Sequence, residues 1–266
     1  MHASIALPIL ALGVCYVAGL CRLRLHAPAA VAARDIACFV SGYVTLVIAL
    51  LSPLHEVSEQ LFTAHMIQHE LLMAVAAPLL VLGRPGPILL WAFGRDTRHR
   101  IGAAIRRRPS RRAWGIATRP FDAWLTHGVA IWVWHIPVLF QATLHNDFVH
   151  ALQHISFLGS GLLFWWSITH GIRRAARGMA IVYLFTTAVH TGVLGALLAF
   201  AHTPWYPEYA TTAARWGLTP MGDQQLAGLV MWVPASAVYL IAALVIMRAW
   251  LRDSEWAVSA AQSVSS

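Results

Sequence analysis

Long apolar stretches, separated by short segments rich in arginine or proline, dominate this sequence. A helix needs about 20 apolar residues to cross the hydrocarbon core of a bilayer. Seven stretches approach that length and are predicted to span: about 4–21, 36–52, 62–82, 121–143, 150–170, 179–201 and 224–248. Residues 88–93 are too few to cross and are predicted to lie at the membrane surface. The pattern therefore predicts an all-α polytopic membrane helix bundle, with residues 1–266 forming a single integral-membrane domain.

The composition supports the membrane class. Hydrophobic residues make up 58% of the chain and charged residues only 11%, whereas about 25% of the residues in a typical soluble domain are charged. The three cysteines form no Cys-x-x-Cys motif, which argues against a disulfide framework or a thiolate metal site. The glycines at positions 159, 161, 192 and 195 are predicted to allow close packing between helices.

The basic residues indicate an orientation. All 19 are arginines, and 18 of them follow the first, third, fifth or seventh predicted span, so they fall on one side. These are Arg22, Arg24, Arg34, Arg84, the nine arginines from 95 to 119, Arg173, Arg174, Arg177, Arg248 and Arg252. Because arginine-rich loops stay in the cytoplasm, the N-terminus is predicted outside and the C-terminus in the cytoplasm. Short runs between apolar segments fit this topology better than a nucleic-acid surface, so no nucleic-acid partner is predicted.

Histidines provide the candidate chemistry. The pattern His-x-x-Gln-His occurs twice, at His65–His69 and His150–His154, each time at the outer end of a predicted span. Residues four apart share a helix face, and ionisable side chains at membrane depth usually face the bundle interior. His135 and His190, on two other spans, are predicted at similar depth. Since imidazole is a common ligand for zinc, copper and iron, these positions predict a metal or haem site between helices.

Other residues near this site have plainer interpretations. Gln68, Glu70, Gln153 and Asp223 are candidates to accept a hydrogen bond from the second nitrogen of a ligating histidine. Met66 and Met73 could supply thioether contacts, although packing is the more ordinary role. The remaining histidines discussed are predicted to be packing or interfacial residues: His55, His99, His127, His145, His170 and His202. His69-Glu70 has no second histidine at the spacing of a His-Glu-x-x-His zinc protease motif.

Several stretches resemble a known family. They are "HMIQHELLMAVAAPLLVLGRP", "VWHIPVLFQATL", "LQHISFLGSGLLFWW", "HTGVLGALLAF", "TPWYPEYA" and "DQQLAGLVMWVP". In this order they resemble the CtaG family of cytochrome c oxidase assembly proteins, the polytopic type associated with caa-type oxidases. The resemblance runs from about residue 51 to residue 247. By position it implies site residues at His65, His69, His135, His154, His190 and Asp223, with His150 a looser match.

The resemblance implies copper delivery to a haem–copper oxidase subunit, its partner in a bacterial cell (inner) membrane, with a periplasmic copper donor as a further partner. Zinc remains an alternative metal. A second hypothesis is a bis-histidine haem protein, using His69 with His154 or His135 with His190. A third is a metal transporter, which the nearly apolar inner half disfavours. No nucleophile–His–Asp arrangement or nucleotide-binding glycine loop stands out, so the chain is predicted not to be an enzyme.

Overall fold

The protein is a bundle of helices in the computed structural model, which describes residues 2–172 and 177–265. Across those two ranges the chain forms fourteen α-helices and no β-strand, which confirms the predicted all-α class. The helices are α1 (His2–His26), α2 (Ala33–Leu51), α3 (Pro53–Ser58), α4 (Phe62–Glu70), α5 (Ala77–Leu82), α6 (Pro85–Trp91), α7 (Arg95–Arg106), α8 (Arg108–Ala117), α9 (Pro120–Trp134), α10 (Pro137–His145), α11 (Asp147–Trp166), α12 (Arg177–Ala199), α13 (Ala210–Ala213) and α14 (Pro220–Ser265).

Length and composition identify five or six candidate membrane-crossing helices in the described residues, where the sequence predicted seven. Within the described ranges, five helical stretches are long and apolar enough to cross a membrane, or up to six if a bent pair counts as one span. The five are 5–26, 33–51, 62–82, 177–199 and 220–253. Helix α11 is 20 residues long but is not among them, because His150, Gln153, His154 and Ser160 interrupt its apolar surface. The count of seven and the orientation stay predictions; Arg173 and Arg174, which support the orientation, lie outside the described residues.

The third predicted span is continuous but contains a wide turn. Helix α4 runs into a π-helical turn over Leu71–Ala76, followed by α5. Pro78 has no N–H for the carbonyl of Ala74 and its ring crowds that carbonyl, which accounts for the wider turn. The carbonyl of Met73 instead accepts a hydrogen bond from the Trp165 indole N–H at 3.0 Å. This hydrogen bond connects the wide turn to α11, about one helical turn after His69 in the chain.

The fourth predicted span is broken. Helices α9 and α10, which cover the predicted span over 121–143, meet at an angle of 74°. Pro137 disfavours helical geometry at Ile136, and α9 ends at Trp134. Carbonyls left free at the break are satisfied by side chains, as a membrane interior requires: His135 Nδ1 lies 2.6 Å from the Ile131 oxygen, and the Tyr206 hydroxyl donates to the His135 carbonyl at 2.8 Å.

Helices α12 and α14 form the most extensive helix pair. A Cβ atom built on Gly195 would lie 2.6 Å from the carbonyl oxygen of Gly228, and one on Gly228 would lie 2.5 Å from that of Gly195. At Gly192 the nearest atom would be 3.3 Å away, in the Trp232 ring. Close packing was therefore correctly predicted at Gly192 and Gly195. At Gly159 it was wrong, because an added Cβ would meet no atom of the described chain within 4 Å.

Gly195→Leu is expected to lower the free energy of unfolding by roughly 3 kcal/mol, because backbone on α14 must move to admit the side chain. Gly159→Leu is the matched control and should change it by less than about 0.5 kcal/mol. Thermal melting in detergent, followed by circular dichroism, measures both. Equal melting temperatures for the two variants would contradict the close contact between α12 and α14.

Helix α6, which precedes the arginine-rich helices α7 and α8, packs against the bundle. Helix α6 lies against α1, where Ile88 is buried, and the Arg22 guanidinium donates to the Ala92 carbonyl at 2.6 Å. Helix α6 has only seven residues, in keeping with the prediction that residues 88–93 do not span. On the α14 side, Arg177 pairs with Asp253 at 2.8 Å.

Candidate metal centre

Four histidine rings from two helices meet inside the bundle. His65 and His69 come from α4, with ring centres 4.3 Å apart, and His150 and His154 come from α11, 4.4 Å apart. Between the helices, the ring centres of His65 and His150 are separated by 5.4 Å and those of His69 and His154 by 5.7 Å. All four side chains are buried. We call these four residues the histidine cluster; both His-x-x-Gln-His repeats face it.

Most nitrogen atoms of the histidine cluster are unpaired. Both ring nitrogens of His69, both of His154, and Nε2 of His150 are buried without a hydrogen-bond partner among the described residues. Leaving a buried polar group unpaired costs about 1–3 kcal/mol, and native proteins retain few such groups. Five unpaired nitrogens in one place make the cluster a candidate binding site for a ligand that would supply some of the missing bonds.

His65 differs from the other three because its ring is held by neighbours. Its Nε2 lies 3.3 Å from Gln153 Oε1. Its Nδ1 lies 3.3 Å from the Ser58 carbonyl and 3.2 Å from the Tyr209 hydroxyl. Since that hydroxyl also donates to the Ser58 carbonyl at 3.1 Å, it can accept from an Nδ1–H. With Nδ1 protonated, Nε2 of His65 carries the lone pair and could bind a metal once the Gln153 oxygen that faces it moves away.

His55 adjoins the histidine cluster, although the sequence indicated only an interfacial residue. It lies on α3 and is buried, with its ring centre 5.6 Å from that of His150 and 6.1 Å from that of His154. Gln68 Nε2 lies 3.0 Å from His55 Nδ1 and donates to the Ala49 carbonyl at 2.6 Å. The Ser52 hydroxyl caps α3, and Pro53 is the first residue of this helix. This Ser-Pro pair was the sequence signal that His55 lies on a helix and not in a loop.

His135 reaches the histidine cluster from the break between α9 and α10. Its ring centre is 6.4 Å from that of His69. Its Nδ1 faces the Ile131 carbonyl, which leaves Nε2 directed toward the Met66 sulfur at 3.4 Å. Met66 is fully buried. A thioether and an imidazole nitrogen therefore lie side by side next to His69.

His190 is placed apart from the histidine cluster. Its ring contacts Trp124, with centres 6.4 Å apart, and it faces Gly128 of α9. No ring contact among the described residues joins it to the four clustered histidines. The predicted convergence of His190 with His69, His135 and His154 is therefore not seen, because its position on α12 turns it toward the inner half of α9.

Asp223 holds a helix end. Its carboxylate accepts from the backbone N–H groups of Phe62 at 2.8 Å and Thr63 at 2.9 Å, and from the Thr63 hydroxyl at 2.6 Å. The first N–H groups of a helix have no partner within it, and α4 has no capping side chain of its own. Asp223, at the start of α14, thus caps α4. The capped residue Phe62 lies three residues before His65 in the chain.

Two buried tyrosines of the segment between α12 and α14 cover one side of the site. Tyr206 donates to the His135 carbonyl, and Tyr209 contacts His65 and Ser58. Gln224 anchors this segment by accepting from the Trp205 N–H at 2.6 Å and donating to the Leu198 carbonyl at 3.2 Å. Burial raises the pKa of the Tyr209 hydroxyl well above its usual range, so this hydroxyl stays protonated and remains a hydrogen-bond donor.

The residues that were predicted to accept hydrogen bonds from ligating histidines have different partners. Gln153 contacts His65, and Gln68 contacts His55. Glu70 follows His69, and its Oε2 is buried without a partner among the described residues.

His127 is hydrogen-bonded at both ring nitrogens: it contacts the Ser160 hydroxyl at 3.1 Å and the Tyr239 hydroxyl at 3.2 Å. That pairing confirms the interpretation of His127 as a hydrogen-bonded packing residue.

The spacing of the rings suits a metal, although the rings are not yet oriented for one. A metal lies about 2.0–2.1 Å from a ligating imidazole nitrogen, which places the centres of two ligating rings roughly 5–6.5 Å apart. The contacts of 5.4 and 5.7 Å between α4 and α11 fall in that range. No group of three His, Cys, Asp or Glu side chains in the described part of the chain already converges on one ion. His69 and His154 meet edge to face, so ligation would require their rings to rotate.

Tyr209→Phe is expected to weaken metal binding by roughly tenfold, the lower range for losing a group that orients a ligating histidine. The variant removes the hydroxyl that contacts His65 and leaves the aromatic packing in place. Tyr43→Phe is the matched control, because Tyr43 donates a similar hydrogen bond to the Ile9 carbonyl at 3.1 Å. Competitive titration with a copper chelator measures both; equal affinities would show that Tyr209 does not orient His65.

Comparisons with known proteins agree with the resemblance seen in the sequence. Residues 14–253 match the family described as the cytochrome c oxidase caa3 assembly factor. An uncharacterized protein of Mycobacterium leprae (strain TN) is 25% identical over 256 residues, which cover 91% of this chain and 38% of that protein. This chain thus spans less than two-fifths of that relative's length. No solved structure matches this chain.

Proposed function

Because this chain belongs to the family of cytochrome c oxidase caa3 assembly factors, we propose that it holds copper in its histidine cluster and passes it to a copper centre of the oxidase. The oxidase and the membrane lipid are then its partners. We further propose that it lies in the inner membrane of a bacterium with the histidine cluster in the outer half, and that it receives copper from a periplasmic donor.

One observation carries this proposal. His69 and His154 come from different helices, their ring centres lie 5.7 Å apart, and all four of their ring nitrogens are buried without partners among the described residues. A bound ion would satisfy one nitrogen of each ring, whereas leaving a buried ring nitrogen without a partner costs about 1–3 kcal/mol. Imidazole nitrogens and the nearby Met66 thioether form a donor set that suits copper, since thioethers favour Cu(I) and imidazole accepts both oxidation states.

The proposed ligands are the histidine cluster itself, with His135 and Met66 beside it. His55 is a further nitrogen donor at the outer edge. We leave Asp223 outside this set because its carboxylate is occupied by the start of α4, and His190 because its ring faces α9. Delivery needs an exchangeable site. His65 is held by Tyr209 and Gln153, whereas no hydrogen bond among the described residues holds the rings of His69 and His154.

The same geometry favours copper over the haem alternative. A haem between His69 and His154 would have to separate two rings already in contact at 5.7 Å. It would also displace His65 and Phe157, whose ring centres lie 4.3 and 4.5 Å from that of His69. Transfer of an ion between proteins involves ligand exchange alone, so the proposed role is that of a carrier without enzymatic turnover.

Elemental analysis of the protein, purified from copper-supplemented cells after its affinity tag has been cleaved, tests the proposal. We expect at least one copper ion per chain and no Soret absorption band. A Soret band with stoichiometric iron would establish the haem alternative instead. Zinc alone, or no metal even after anaerobic incubation with Cu(I), would contradict a copper site.

A further inference from the structure

An apolar cavity opens beside the histidine cluster on the flank of the bundle. It has a volume of about 360 Å³ and lies between α1, α2 and α11. Its walls are hydrocarbon side chains, including Ile9, Leu46, Leu50 and Leu158. These walls belong to helices that are long and apolar enough to span a membrane, together with α11, so the cavity opens sideways toward lipid.

One polar side chain, His154, lies in this otherwise apolar lining. Its relative exposure is 5%, and neither ring nitrogen has a hydrogen-bond partner in the described part of the chain. The same ring also contacts the histidine cluster, with His150 and His69 at 4.4 and 5.7 Å between ring centres. His154 therefore forms the wall that separates the apolar cavity from the candidate metal centre.

We infer that this cavity is the side opening through which copper leaves the histidine cluster, and that it receives one metal-binding side chain from a transmembrane helix of the recipient oxidase. The inference rests on the proposed function. In the exchange, a new bond to copper forms from the incoming imidazole, thioether or thiolate as the bond to His154 breaks. The metal keeps its oxidation state, and His154 returns to its unpaired form.

The size and chemistry of the cavity favour this occupant over a lipid chain. Its volume is at the lower end of the range for ligand pockets, about 300–1,000 Å³, which suits one inserted side chain and is too small for a whole helix. An acyl chain would match the walls but would leave both nitrogens of His154 unsatisfied. A metal-ligating side chain matches the walls with its stem and reaches the copper with its tip.

The outer side of the histidine cluster is less suited to release. There Tyr206 and Tyr209 are buried over the rings, and Gln224 fastens their segment. Movement of copper to water on that side requires the hydrogen bonds of both tyrosines to break. The side opening requires only that the unbonded ring of His154 rotates.

Two Cu(I) chelators distinguish these routes in proteoliposomes that contain the copper-loaded protein. Neocuproine dissolves in the bilayer, whereas bathocuproine disulfonate is charged and stays in water. We expect neocuproine to remove copper faster from the wild-type protein. Ala151→Trp, which fills the cavity one turn before His154, should slow removal by neocuproine by roughly tenfold or more, equivalent to a barrier higher by about 1.4 kcal/mol. Removal by the charged chelator should be unchanged.

Ala196→Trp is the matched control, because Ala196 lines a cavity of similar size, about 330 Å³, between α12 and α14, away from the histidine cluster. It should leave both rates at the wild-type value. Ile155→Trp, at a more exposed position of the same lining, replaces Ala151→Trp if that variant does not fold. Copper-loaded variants that release copper to neocuproine at the wild-type rate would overturn the side opening while leaving the copper site intact. A wild-type protein that binds no copper would overturn both proposals.

Discussion

The double variant His69→Ala, His154→Ala is expected to lose its bound copper while the helix bundle stays folded. The two rings contribute four of the five unpaired nitrogens in the histidine cluster, so a site without them lacks its exchangeable ligands. We expect copper affinity to fall by more than about 100-fold, beyond the range for losing a supporting hydrogen bond. Folding should survive, because removing unpaired buried polar groups recovers about 1–3 kcal/mol each and offsets the lost packing.

Elemental analysis gives the copper content, and circular dichroism reports the helix content and melting temperature. The control is His99→Ala, His145→Ala, which removes two exposed histidines and should leave copper binding unchanged. A double variant that keeps its full copper content would place the site elsewhere, with the His55 side of the cluster and the region around His190 as the next positions to examine. A variant that loses both copper and helix content is compared with His69→Asn, His154→Asn, which retains polar groups at both positions.

Asp223→Asn is expected to have the largest effect on stability of any single polar substitution considered. The carboxylate accepts three hydrogen bonds at the start of α4, and an amide of the same shape replaces one acceptor oxygen with a donor that faces an N–H. Breaking hydrogen bonds to a charged group costs about 1.5–3 kcal/mol, so we expect a loss of at least this size. Because α4 carries His65 and His69, copper affinity should also fall.

Asp147→Asn is the matched control, because Asp147 lies exposed in the first turn of α11. Its melting temperature should stay close to that of the wild-type protein. If Asp223→Asn melts like the wild-type protein but binds less copper, Asp223 would be a ligand, as the family resemblance implied. A loss of stability that also occurs in metal-free protein would establish its role as the cap of α4.

The break at Pro137 shows how far local sequence rules extend. The segment "WHIP" is sufficient to expect that a helix ends there, within the predicted span over 121–143. Similarly, the wide turn at Leu71–Ala76 follows from Pro78. Neither rule could give the 74° bend or show that Tyr206 would bond to the exposed carbonyl of His135, because those depend on segments far away in the chain.

His55, His190 and Asp223 show which features of the candidate site the sequence could not predict. Nothing in the residues around His55 indicates that it would contact His150 and His154. His190 was predicted to converge with His69, but its ring faces α9, because the position of a residue along a helix does not fix the direction of its side chain. Asp223 was expected near the metal, and it does lie near α4, but as a partner for backbone N–H groups.

By itself the sequence determined the helical membrane class, the family, and the common face of each His-x-x-Gln-His pair. Those features depend on hydrophobicity and on the 3.6-residue helical period, which act within a single segment. Only the tertiary structure decided which faces meet: α4 with α11 around the histidine cluster, α14 with the start of α4, and the apolar cavity against His154. The rotation and offset of each helix are set by packing between distant segments, such as the contact of Gly195 with Gly228. No pattern within one helix records that contact.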